Sequence, residues 1–391
     1  MTTDRPLTLG VTCYPTFGGS GIVATEVGLE LARRGHTVHF ICADVPFRFD
    51  RFVKNVFFHE VHARDYPLFD TSPYALALTS KMVEVSTWHH LDLLHVHYAI
   101  PHAASAYLAR QILGPQAPAL LTTLHGTDIT VVGNDPSFLP VTKFSLEHSD
   151  AITVPSASLK DSTYENLGLS REVPIDVISN FVDTERYAPA PKNGARAEPS
   201  LVHNSNFRPM KRVLDVIRIF AQVNRVRPCQ LVLIGDGPDR SNAERLVHEL
   251  GLSERVRFLG KQLDFVEVLQ GADLFLLPSQ NESFGLAALE ALSCGLPVIA
   301  SKVGGVPEVI EDGVCGFLKE PGDVEGMARA ALRLLEDRPL YERFSAAART
   351  RAVTHFPRTA LVDAYEACFR RVLETRAPAL KLRRPGVSSS S

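Results

Sequence analysis

The sequence predicts an α/β protein made of two Rossmann-like, doubly wound parallel-sheet domains that face each other across a cleft. Three observations carry that expectation. Short apolar runs alternate with helical patterns through both halves, as where residues 7–14 precede residues 22–34. Polar or glycine-rich loops follow those runs, where open parallel sheets bind ligands. A stretch rich in proline, glycine and charge, residues 188–199, separates the halves. The 391 residues suffice for two cores of ordinary size. The expected division is an N-terminal domain over residues 1–185, a linker over 186–199 and a C-terminal domain over 200–356. A helix over 357–380 should return to the N-terminal domain, before a frayed tail over 381–391.

Composition narrows the class. Hydrophobic content of 45% and charged content of 22% describe a globular protein in water. A formal net charge of −3, without a basic stripe, argues against nucleic acid as the main partner. The six cysteines show no Cys-x-x-Cys spacing and read as reduced thiols, which suits the cytoplasm. Residues 1–6 lack the apolar core of a signal peptide. No window of about 18 apolar residues could span a bilayer, so no membrane partner is expected.

In the first half, a strand over residues 7–14 runs into Pro15-Thr16-Phe17-Gly18-Gly19-Ser20-Gly21 and then a helix from Ile22, stopped by Gly35. Gly19-Ser20-Gly21-Ile22-Val23-Ala24 fits the dinucleotide pattern G-x-G-x-x-A, and Asp44 follows the second strand. A nicotinamide enzyme is therefore a competing reading, weakened by the Pro15-Thr16-Phe17 spacer between strand and glycines. The alternative is a loop that approaches a substrate closely, with Ser20 offering its hydroxyl. Next, His95 and His97 share one face of a strand by alternation. A zinc reading lacks a third cysteine or carboxylate ligand nearby, and structural packing is its rival. Tyr98, past the strand end, is placed to donate a hydroxyl. His125 follows another strand, over residues 119–124, and is the leading candidate in this half for contact with a transferred group.

In the second half, Asn206-Phe207-Arg208-Pro209-Met210-Lys211-Arg212 sets several donors between a strand end and a helix, which suits a diphosphate. The richest stretch is residues 278–297. Glu282 sits in its loop and Glu290, eight positions on, is expected two turns inside the helix that follows, facing the same crevice. The amides of Ser283, Phe284 and Gly285 are expected at the helix N-terminus, where an anion is favoured. Two carboxylates flanking a phosphate seat suit a sugar nucleotide. Exposed glutamates on an amphipathic helix are the plain alternative.

Taken together, residues 282–290, Asn206 to Lys211, Gly235-Asp236-Gly237-Pro238 and Gly304-Gly305-Val306-Pro307-Glu308 give a chain that resembles the family-4 retaining glycosyltransferases of the two-Rossmann B-type fold. The likeness covers nearly the whole chain. Three N-terminal stretches, residues 13–21, 95–103 and 122–130, narrow it to members that open bacillithiol synthesis. The resemblance implies transfer of N-acetylglucosamine from its uridine diphosphate donor to the hydroxyl of L-malate, with retained α configuration. It implies that His125, Lys211 and Glu282 serve catalysis. Gly19, Asn206, Arg208, Lys211, Glu282, Phe284, Gly285, Leu286 and Glu290 would hold the donor, and Ser20, Tyr98, Thr123 and Thr127 the acceptor. Many relatives place arginine where Asn206 stands, and Arg208 is a nearby cation. No cofactor is expected. No Asp-x-Asp pair occurs in the chain, so no metal requirement is expected either. A homodimer is one oligomeric state the sequence leaves open. The alternatives are an inositol phosphate or lipid-linked sugar as acceptor, or a nucleotide-sugar binder without catalysis.

Overall fold

A computed structural model describes residues 5–15, 19–46, 52–63, 72–130, 132–190 and 198–382. Thr16, Phe17 and Gly18 of the first glycine loop, residues 191–197 of the expected linker and residues 383–391 of the tail lie outside the described residues. The chain divides into two compact units, Met1–Ile178 with Val362–Ser391, and Ser179–Leu361.

Unit 1 contains strands β1 (Thr8–Thr12), β2 (Thr37–Cys42), β3 (Val56–Glu60), β4 (Leu93–His97), β5 (Ala119–Thr123), β6 (Ala151–Val154) and β7 (Ile175–Val177). They pair in parallel in the order β3-β2-β1-β4-β5-β6-β7. The helices between them are α1 (Gly19–Arg33), α2 (Tyr74–His89), α3 (Ala104–Leu113), α4 (Thr127–Thr130), α5 (Leu139–Glu147) and α6 (Ala157–Leu167). Every residue of β4 and β5 is buried, as befits central strands covered on both faces. Leu93, Leu94, Leu120 and Leu121 are fully buried there, each stabilising the fold by roughly 1.5–3 kcal/mol.

Helix α1 starts at Gly19, three residues before the expected Ile22. Gly19, Ser20 and Gly21 are thus its first turn and not part of a loop. The low helix propensity of glycine hides this start in the sequence. Helix propensity alone does not decide the matter, because Val23, Ala24 and Val27 bury the face that follows.

Unit 2 contains β8 (Ser200–Asn204), β9 (Gln230–Ile234), β10 (Val256–Gly260), β11 (Leu274–Leu277), β12 (Val298–Ser301) and β13 (Gly316–Lys319). These strands are also parallel, ordered β10-β9-β8-β11-β12-β13. Its helices are α7 (Val213–Val226), α8 (Arg240–Glu249), α9 (Val266–Gln270), α10 (Leu286–Ser293), α11 (Val306–Val309), α12 (Val324–Glu336) and α13 (Arg338–His355). Val182 and Tyr187 pack into the core of this unit with Phe275, Phe284 and Leu292, and Ser293 Oγ donates to the Tyr187 carbonyl at 2.6 Å.

Helix α14 (Arg358–Leu382) begins within unit 2 and belongs to unit 1 from Val362 onward. It carries residues 381 and 382, which the sequence assigns to the frayed tail. In unit 1, Tyr365 and Phe369 are buried with ring centroids 5.4 Å from that of His95. Arg34, just after α1, pairs with Asp363 and Glu366 of α14. Among the described residues, no helix is long and apolar enough to cross a membrane.

Candidate active site

In unit 2 the strand order reverses between β8 and β11, and loops leave the carboxyl ends of both strands at that switch point. The β8 loop carries Asn206 and Arg208, both exposed, and ends in a tight turn over Pro209–Lys211. The β11 loop carries Ser279 and Glu282. Lys211 Nζ lies 2.6 Å from Glu282 Oε1, and Ser279 Oγ donates to the same oxygen at 2.9 Å. The two charged side chains are 19% and 10% exposed, so each is the main compensation for the other's lost hydration. Arg212, the neighbouring cation, is committed elsewhere: its guanidinium binds Asp215 at 2.7 Å and the Gln280 side chain at 3.0 Å.

Beneath this pair, His203 Nδ1 donates to the Leu276 carbonyl at 2.8 Å, leaving Nε2 to accept from Ser205 Oγ at 2.8 Å. Burial pushes His203 down to about 4, against the raising effect of that carbonyl. The ring is therefore a neutral strut under the charged pair at pH 7.

Helix α10 begins at Leu286, with Gly285 as its left-handed cap at φ +96°. Two expectations are corrected here. Ser283 and Phe284 precede the helix, so the amides without an intrahelical acceptor are those of Leu286, Ala287 and Ala288. Glu290 is the fifth helical residue, one turn inside and not two, and is only 4% exposed. The first turn is shorter than the sequence suggests because Gly285 takes a positive φ that resets the chain before the helix.

Gly304, at φ +51°, lies against this loop, and a Cβ there would sit 1.9 Å from the Glu282 carbonyl oxygen. Gly305 N–H donates to that oxygen at 3.1 Å. Gly304→Ala is therefore expected to destabilise the protein by roughly 2–4 kcal/mol, measured by chemical denaturation, because the left-handed backbone and the close approach both penalise a side chain. Catalysis should fall too, since the Glu282 backbone must move to make room.

In unit 1, polar residues gather at the carboxyl ends of β4 and β5. His97 Nδ1 lies 2.8 Å from His125 Nε2, and the rings are stacked. His95 Nε2 lies 2.7 Å from Thr123 Oγ1, which is 2.6 Å from Thr153 Oγ1. Tyr98 Oη donates to Ser20 Oγ at 3.1 Å, and its ring centroid is 5.3 Å from that of His125. Tyr98 takes φ +84°, a conformation rare for an aromatic residue and characteristic of positions where a side chain must be re-aimed. Asp128 Oδ1 accepts from the His125 and Gly126 amides at 3.1 and 2.8 Å. Its Oδ2, with His97 Nε2 and His102 Nε2, is buried without a hydrogen-bond partner among the described residues.

Burial lowers His95 and His125 to about 3, and lowers His97 too, so these rings act as neutral donors and acceptors. Burial also raises Asp128 from 3.8 to about 6, against its amide bonds. A folded-state value above the unfolded one contributes stability that is full below pH 3.8 and lost as pH rises through about 6. Asp128→Asn keeps an acceptor for both amides and removes the charge. The stability difference, wild type minus variant, should therefore grow in favour of wild type as pH falls from 7 to 4.5, measured by urea unfolding at both values.

The structure thus brings Ser20, Tyr98 and His125 together in unit 1, and Lys211 and Glu282 in unit 2. Thr123 is buried, one layer behind His125, with its hydroxyl engaged by His95 and Thr153. Thr127 is half-buried at the start of α4, and Gly19 is exposed at the start of α1. Asp128, His102, Ser279 and His203 are polar participants that the sequence reading passes over. Asp128 carries a readable signal, an acidic residue opening a helix just past a strand end. The other three have none, because their roles depend on burial.

Comparison with known proteins adds the following. Residues 17–186 match the profile described as Glycosyltransferase Family 4, and residues 190–351 match Glycosyl transferases group 1. N-acetyl-alpha-D-glucosaminyl L-malate synthase of Bacillus anthracis is 44% identical over 374 residues, spanning 94% of this chain and 97% of that protein. D-inositol 3-phosphate glycosyltransferase of Mycobacterium sp. (strain KMS) is 29% identical, over 82% of this chain and 79% of its own. Among solved structures, Anabaena HepE in complex with UDP and glucose superposes with a TM-score of 0.78 at 22% identity, covering 93% of this chain and 99% of that one. Sucrose-phosphate synthase of Thermosynechococcus elongatus gives 0.78 at 23% identity, covering 95% and 100%. These two structures share the fold.

Proposed function

Since the chain belongs to glycosyltransferase family 4, we propose that it transfers N-acetylglucosamine from UDP-N-acetylglucosamine to the hydroxyl of L-malate with retention, the opening step of bacillithiol synthesis. The observation that carries this reading is the 44% identity to the malate-glycosylating relative over 94% of the chain, both units included. The geometry supports it. Lys211, with Asn206 and Arg208, would hold the diphosphate and stabilise its charge as it leaves. Glu282 would accept from the sugar hydroxyls once the donor displaces it from Lys211. The amides at the start of α10 would hold phosphate, and the buried carboxylate of Glu290 would grip the ribose diol.

On the acceptor side, malate brings two carboxylates and one hydroxyl. The first turn of α1 offers the amides of Ser20 and Gly21, which lack intrahelical acceptors and favour an anion, while Gly19 is kept for the donor. Ser20, Tyr98 and Thr127 add hydroxyls, with Thr123 behind them, and His125 meets the sugar. Transfer proceeds by front-face attack: the bond from the anomeric carbon to the diphosphate oxygen breaks, and the bond to the malate oxygen forms on the same face. The malate proton passes to the departing diphosphate. No metal or cofactor takes part, and turnover is expected to persist in chelator. The enzyme is assigned to the cytoplasm, and a homodimer is one assembly left open.

A second reading, an inositol phosphate acceptor, is favoured by the 29% identical relatives. The test is to supply purified protein with UDP-N-acetylglucosamine and a panel of hydroxy acids and inositol phosphates, then identify the glycoside by mass and anomeric coupling. An α-linked malate glycoside is expected. Product with inositol phosphate alone would replace the malate reading, and donor binding without turnover on any acceptor would reduce the protein to a binder.

A further inference from the structure

Away from the residues described so far, three histidines from three elements of unit 1 converge. His39 lies in β2, His59 in β3, and His89 ends α2. One nitrogen from each lies within 4.8 Å of the others. His39 Nδ1 is 2.8 Å from His59 Nε2, and the His89 ring centroid is 4.2 Å from that of His39 and 5.3 Å from that of His59. Strand register explains the first pair. His39 sits opposite Phe57 and Ile41 opposite His59, so the two histidines are diagonal neighbours on one face. Phe57 stacks on the His39 ring at 5.0 Å and walls that side. Burial is graded from His39, buried, through His59, half-buried, to His89, exposed, so the cluster opens to solvent at one end.

Three imidazoles this close repel when protonated. Burial, followed by the neighbouring rings, brings His39 down to about 4, and the same causes lower His59, on which Lys81 and Glu84 act with opposite sign. The two inner rings are therefore neutral at pH 7, the form in which imidazole binds metals. We propose that His39, His59 and His89 form a binding site for a divalent transition-metal ion of the zinc class, with solvent completing the tetrahedron. Nitrogen ligands on a tetrahedral zinc ion lie about 3.3 Å apart, given bonds of about 2.0–2.1 Å. The three nitrogens, all within 4.8 Å of one another, would need side-chain rotation to meet such an ion. The all-imidazole set selects Zn²⁺, Co²⁺, Ni²⁺ or Cu²⁺ over Mg²⁺ and Ca²⁺, which prefer oxygen. Bound there, the ion cross-links an edge strand, its neighbour and the end of a helix, a structural role separate from the transfer chemistry.

The full chain, stripped with chelator and exchanged into chelator-free buffer, is titrated with Zn²⁺ by calorimetry and with Co²⁺ by visible absorption. One equivalent is expected, with the intense visible bands of a tetrahedral Co²⁺ site. His59→Gln and His89→Gln should each weaken Zn²⁺ binding about tenfold or more, while His248→Gln, on unit 2, leaves it unchanged. The unfolding temperature should rise with Zn²⁺ in wild type and His248→Gln but not in the other two variants. Unchanged unfolding temperatures in chelator would show that all variants fold. Equal Zn²⁺ affinity in wild type, His59→Gln and His89→Gln, or no binding at micromolar Zn²⁺, would overturn the site.

Discussion

Lys211→Ala is expected to lower kcat for sugar transfer about 10²–10³-fold, the usual effect of removing one preorganised donor from a developing anion. The ammonium stands 2.6 Å from Glu282 and reaches it from the last residue of a tight turn, so its position is set by backbone and partner alike. As the diphosphate departs, negative charge grows on its oxygens, and the low exposure of the pair makes a fixed cation there worth more than in water. The substitution also leaves the Glu282 carboxylate with Ser279 as its remaining hydrogen-bond partner of this pair, so a drop of some degrees in unfolding temperature should accompany the kinetic loss. Lys211→Arg keeps the charge with a different shape, and should recover part of the rate. Steady-state release of UDP with saturating malate checks all three points. Wild-type turnover in Lys211→Ala would remove this residue from the proposed chemistry.

Glu290→Ala and His125→Ala should separate donor binding from transfer. Glu290 is buried in unit 2, one turn into α10, and a hydrogen bond from a ribose hydroxyl to a charged acceptor contributes about 1.5–3 kcal/mol. Its loss should weaken UDP binding about 10–150-fold, read by calorimetry. His125 belongs to unit 1, hydrogen-bonded to His97, and its removal should leave the UDP affinity within about twofold while kcat falls at least about tenfold. The same change in both quantities for both variants would end the division of labour between the units.

Much of this was legible in the chain itself, and the residues show where legibility stops. The buried strands read as apolar runs because parallel sheets cover both faces, and the stretch from Glu282 through Gly285 to Glu290 stands out as a polar loop before a helix that carries a second carboxylate. The Lys211–Glu282 pair spans 71 positions, yet both members sit at strand ends of one sheet, so the fold class itself predicts that they are neighbours. The edge strand Val56–Glu60 is faint in the sequence because edge strands bury less and carry mixed residues. Helix Arg338–His355 is rich in alanine and arginine, and its weak apolar stripe gives the sequence little periodicity to read. The metal-type cluster of His39, His59 and His89 has no motif spacing at all. It exists only because register aligns two strands and a helix ends beside them.

Helix α14 has a consequence for how the polypeptide is made. Tyr365 and Phe369 pack against His95, and Tyr365 bonds with Thr123 and Thr153, so part of the interior of unit 1 is supplied by residues that follow unit 2 in the sequence. On the ribosome, residues 1–178 emerge before those of unit 2, but their sheet lacks this cover until residues beyond 361 have been added. Unit 2, encoded between them, has all its residues by Leu361. Of the two units, the one begun first is therefore finished second, and nascent chains that stall before residue 362 should hold it in a protease-sensitive state.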